Sequence, residues 1–94
     1  MSQLNSLIAQ AASIAGSEYK LAQQLGMPQP TISQWKSGAR RCSPTDRAAL
    51  ADVAGSNVAA ETIEAVIEGI DLETPKGQRA KAALMKALRQ VQKL

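Results

Sequence analysis

Ninety-four residues suit one small domain, with room for an appended element. Aromatics make up 2% of the chain, phenylalanine is absent, and good helix formers dominate, so an all-α fold is expected and a sheet is not. The lone cysteine, Cys42, excludes an internal disulfide framework, and no apolar run approaches the ~20 residues of a membrane span. A reducing cytoplasm is the expected setting, since the N-terminus lacks the pattern of a signal peptide.

The elements follow in chain order. Leu4, Leu7, Ile8, Ala11 and Ile14 form a helical stripe, predicting a first helix from Ser2 to about Ala15 that Gly16 ends. Ser17 is a natural N-cap for a second helix, with Glu18 at its positive start, running to Leu25. Gly26 suits a corner because glycine takes a left-handed backbone without steric cost. A third helix is predicted over Gln29 to Ser37, closed by Gly38, with Pro28 and Pro30 fitting only in or before its first turn. Residues 39–42 are a loop. Ser43 caps a fourth helix, with Pro44 at its first position, Asp46 in its first turn and Gly55 as its stop. Asn57 caps a fifth, from Val58 to Ile70, with an apolar face of Ile63, Val66, Ile67 and Ile70. The break at 71–75, DLETP, precedes a last helix to about Lys93.

Charge is arranged in blocks. Residues 1–47 hold five bases (Lys20, Lys36, Arg40, Arg41, Arg47) and two acids (Glu18, Asp46). Residues 48–73 hold six acids and no base, and residues 74–94 six bases and no acid.

Residues 18–37, EYKLAQQLGMPQPTISQWKS, have the spacing of two short helices joined by a tight turn. Ala22 must be small where the second helix crosses it, and Leu21, Leu25, Ile32 and Trp35 fall on the inward faces. The window resembles the helix-turn-helix of Cro- and repressor-type phage regulators. The segment from Ala9 to Gly55, about half the chain, is similar to small Cro-like proteins of phages and prophages. The resemblance implies a lambda-repressor-like bundle of about five helices, to which the residues themselves add a basic amphipathic C-terminal helix. The break at DLETP divides the chain into an expected DNA-binding domain at 1–71 and an expected dimerisation element at 72–94.

The same resemblance implies roles for residues. Gln29, Pro30, Ser33 and Gln34 lie on the groove side of the recognition helix as base contacts. Ser17, Tyr19, Thr31, Lys36, Ser37, Arg40 and Arg41 are the expected phosphate contacts, with packing an equal alternative for Tyr19 and a structural or base-reading role for Thr31. Two positions depart from the family pattern. Pro28 stands where a capping Ser or Thr is usual, and Glu18 stands where a phosphate-binding Gln is usual.

Other features have plainer readings. Trp35 has the spacing of a core residue rather than a base stacker. Glu61, Glu64 and Glu68 read as a solvated acidic face that should lie away from DNA. The stripe of Ala80, Leu84, Ala87, Leu88 and Val91 on the last helix needs a cover: its own domain, a partner chain or, for the basic residues around it, DNA. A homodimer through Leu84, Leu88 and Val91 is the favoured reading. With no histidine and no phosphate-cradling glycine loop, no enzymatic activity, metal, cofactor or small-molecule substrate is expected. The expected function is transcriptional repression by a dimer on a palindromic double-stranded operator, by occluding polymerase. A DNA-binding antitoxin, a restriction-system regulator and a protein-interaction module remain as alternatives.

Overall fold

A computed structural model describes residues 3–92. The helix limits expected at Ser2 and Lys93 lie outside the described residues. Within them the chain forms six helices and no strand: α1 (Gln3–Ala15), α2 (Glu18–Leu25), α3 (Gln29–Ser37), α4 (Pro44–Ala54), α5 (Val58–Glu68) and α6 (Pro75–Gln92). No described helix is long and apolar enough to cross a membrane.

The helix limits follow from local hydrogen bonds. The Ser17 hydroxyl accepts from the Lys20 amide at 3.1 Å, and the Asn57 side chain accepts from the Ala60 amide at 3.0 Å. Ser43 and Asp46 form a reciprocal capping box, and Pro44 opens α4 where its missing N–H costs nothing. Between α2 and α3 the chain turns at Gly26, whose φ of +68° is left-handed, and the Met27 amide returns to the Ala22 carbonyl at 3.0 Å. Pro28 precedes α3 in extended conformation without a side-chain cap, and α3 still begins at Gln29, where the Pro28 carbonyl accepts from Thr31.

The core gathers Leu7, Ile8 and Ala11 of α1, Leu21 and Ala22 of α2, Ile32 and Trp35 of α3, Cys42, and Leu50, Ala51 and Ala54 of α4. Leu25 and Met27 pack at its edge. Burial drives this assembly at ~25 cal/mol per Å² of apolar surface. Helices α2 and α3 thus pack on each other and on α1, which also carries α4, and the buried side of α3 contributes Ile32 and Trp35. Ile14 is 61% exposed, against the expected stripe: the last turn of α1 packs Ala12 and Ala15 inward instead.

The fifth helix also departs from expectation. It ends at Glu68 rather than Ile70, and its buried residues are Ala60 and Ala65. Ile63, Ile67 and Ile70 are half-buried and Val66 is exposed. The cause is that α5 lies between α4 and α6. It meets α4 through small residues and carboxylates, and its larger side chains are left for α6 or solvent.

Glu61 and Glu64 are not part of a solvated face, whereas Glu68 is exposed. Arg47 of α4 is 1% exposed, and its Nε donates to Glu61 at 2.9 Å. Its Nη1 donates to Glu68 at 3.2 Å, and its Nη2 lies 3.5 Å from a Glu64 oxygen without hydrogen-bond geometry. Arg47 occupies the first position of the stripe continued by Leu50, Ala51 and Ala54, and that inward spacing was the available signal for a buried cation. Burial disfavours the Glu64 anion, the neighbouring Glu61 adds to this, and Arg47 offsets it only in part, so the Glu64 pKa is raised.

A raised carboxylate pKa means that ionised Glu64 costs stability above its folded pKa, and the cost vanishes as pH falls below its ordinary value of 4.5. Glu64→Gln is therefore expected to melt higher than the wild type at pH 7, with the gain disappearing below about pH 4.5. Thermal melts across pH 3.5–7.5 check this. A variant less stable at pH 7 would show that Arg47 dominates at Glu64.

Helix α6 docks on α5 of its own chain. Thr74 accepts from the Gly77 amide at 2.9 Å, and Gly77 is buried so closely against the Asp71 carbonyl that an added Cβ would strike it. At the far end the Asn57 amide group donates to the Val91 carbonyl at 3.3 Å. Leu84, Leu88 and Val91 are half-buried in this single chain.

Candidate nucleic-acid interface

Helix α3 has two sides of opposite character. Thr31, Ile32 and Trp35 are buried. Gln29, Pro30, Ser33 and Gln34, the expected base contacts, are all exposed, as are Lys36 and Ser37. No charged group stands on α3 before Lys36, so its outer surface offers amide and hydroxyl donors and acceptors together with the apolar edge of Pro30.

The expected phosphate contacts divide into groups. Tyr19 is 57% exposed, with its hydroxyl accepting from Gln23 at 3.2 Å, so it is not a core residue. Ser17 is exposed, and its hydroxyl is held by the α2 cap. Ser37 is exposed and donates to the Gln34 carbonyl at 3.2 Å. Thr31 is 8% exposed, and the Arg40 guanidinium reaches its hydroxyl at 3.5 Å. Arg40 rather than Thr31 is therefore the exposed member of that pair.

Two cations have protein partners that the sequence alone did not indicate. Arg41 donates to the Ala65 carbonyl at 3.3 Å and lies across Gly69, where any Cβ would collide with its guanidinium. It covers the negative C-terminal end of α5, a favourable place for a cation. Lys36 bonds Glu18 at 2.7 Å, tying the last turn of α3 to the first turn of α2.

Lys36, Ser37, Arg40 and Arg41 share an open cleft with Leu4, Trp35, Cys42 and Glu68. The cleft is cationic on balance. Burial first, then the charge of Asp46, pushes the Cys42 thiol up to about 12, so its thiolate is scarce at neutral pH. Among the described residues no group of three His, Cys, Asp or Glu is arranged to hold a metal ion. The site's capacity is hydrogen bonding along α3 and cationic contact at its C-terminal end. No family model, curated protein or solved structure matches this chain.

Proposed function

We propose that this chain is a sequence-specific double-stranded DNA-binding repressor with a lambda-repressor-like, Cro-type domain, of phage or prophage origin, acting as a homodimer on a palindromic operator. The observation that carries the reading is the two-sided α3. Its inner side is locked into the core by Ile32 and Trp35, and its outer side presents Gln29, Pro30, Ser33 and Gln34 to solvent without a competing charge. A major groove admits such a helix, glutamine matches the paired donor and acceptor of adenine, and an apolar edge suits the thymine methyl. Tyr19, Arg40 and Ser37 flank that surface as phosphate contacts, while Glu61 and Glu64 of α5 are engaged by Arg47 of α4 and Glu68 borders the cationic cleft. Transcription is blocked by occupancy of the promoter.

Selection of bound sites from a random duplex library tests the reading. A symmetric consensus with half-sites about 34 Å apart is the expected product. Gln29→Ala should then weaken binding to that site by ~1–3 kcal/mol and relax preference at one base pair per half-site. An unchanged consensus would remove Gln29 from the reading set. No duplex bound even at low salt would instead favour a protein-interaction module.

A further inference from the structure

The outer surface of the helix-turn-helix contains one acid. Between residues 17 and 41 the chain carries Lys20, Lys36, Arg40 and Arg41, and Glu18 is the only carboxylate. It stands at the position where the resembling family usually has a neutral glutamine. Its oxygen lies 2.7 Å from the Lys36 ammonium, across 18 residues of sequence and between two different helices. Both partners remain solvent-accessible, with side chains 30% and 46% exposed. A pair so exposed adds little to stability. Each partner already sits at the helix end that favours its charge, Glu18 in the first turn of α2 and Lys36 in the last turn of α3.

We propose that Glu18 determines specificity by holding Lys36, which takes one cation out of the phosphate-binding set and lowers binding to random DNA more than binding to an operator. This rests on the DNA-binding reading above. Binding to random DNA is carried by phosphate neutralisation, so every free cation at the surface strengthens it. A loosely held protein can shift its register until a freed Lys36 meets a phosphate. On an operator the base contacts fix the register, and the lysine gains only where a phosphate already stands within reach. The Glu18–Lys36 pair therefore discounts the sequence-independent component first.

The test uses Glu18→Gln, Lys36→Gln and the double variant in the full chain. The probes are a random-sequence 24-base-pair duplex and the site selected by the wild type, with binding followed by fluorescence anisotropy across salt. E18Q should bind the random duplex several-fold more tightly at low salt, with a log–log salt slope steeper by about 0.9. The operator should gain less, so the specificity ratio falls. In the K36Q background the effect of E18Q should disappear, because Glu18 acts through Lys36. An unchanged random-duplex slope in E18Q overturns the proposal, as does an equal gain on the operator. The same gain with Lys36 absent would show Glu18 acting as a bare repulsive charge, against the proposal. A wild type that binds neither duplex removes the DNA-binding reading itself, a result distinct from wild-type binding with a silent E18Q. Circular dichroism melts of the three variants should match the wild type.

Discussion

Arg47→Met is expected to destabilise the fold by about 3–5 kcal/mol, the usual cost of removing one partner from a buried ion pair. Arg47 is 1% exposed and, among the described residues, is the cation that meets Glu61, Glu64 and Glu68. Methionine fills much of the volume but leaves the covered Glu61 and Glu64 without their guanidinium, while Glu68 still meets solvent. Glu61 and Glu64 are about four-fifths covered, so solvent screens them poorly. Small domains carry roughly 5–15 kcal/mol of stability, so the loss is a large part of the whole and should lower the melting temperature by more than about 10 °C. Adding E61Q, E64Q and E68Q to R47M should restore much of it, because the cost lies in the orphaned charges. Arg47→Lys keeps one charge but cannot span three acceptors, and should fall between. Urea titrations of the set decide the matter. An R47M protein within about 1 kcal/mol of the wild type would mean that α4 and α5 are held by Ala51, Ala54, Ala60 and Ala65 without the ionic cluster.

The same cluster marks where sequence reading stopped. Ser17, Ser43 with Asp46, and Asn57 were legible as caps, because each acts on an amide three residues away. The inward set of Leu21, Ala22, Ile32 and Trp35 was legible because helical period alone assigns it. All-α architecture followed from composition. The partners of Arg47, Arg41 and Lys36 were not legible, since each lies on another helix and the pairing depends on how those helices dock. Arg47 did carry a clue: it stands three, four and seven residues before Leu50, Ala51 and Ala54 on a buried stripe. The acids of α5 carried no such mark, because a carboxylate spaced along a helix looks the same whether water or a guanidinium faces it. At the interface, the exposed row of Gln29, Ser33 and Gln34 followed from the motif, whereas the burial of Thr31 under Arg40 required the fold. For α6, periodicity gave the stripe, and only docking showed that α5 of the same chain covers part of it.

Truncation after Leu72 should reduce operator binding by about 10²–10⁴-fold, the scale lost when two linked binding units become one. One recognition helix reads only a few base pairs, and a second copy on a two-fold axis supplies the other half-site. Under the proposed function, the dimer surface draws on α6 together with what α6 leaves open on α5. Leu84, Leu88 and Val91 are only half-covered within the chain, while Val58, Val66, Leu72 and Met85 are exposed on or beside the same pair of helices. Removing α6 takes away its part of that surface and uncovers Ile63 and Ile67 of α5. The main core contains no residue of α6, so α1 to α4 should remain folded and the recognition helix should keep its place. The truncated chain should therefore retain helical circular dichroism and weak, salt-sensitive DNA binding, while sedimenting as a monomer at concentrations where the full chain is a dimer. A truncated protein that stays dimeric and binds its operator unchanged would place the interface outside α6. A full chain that sediments as a monomer even on the operator would remove the dimer from the proposed mechanism.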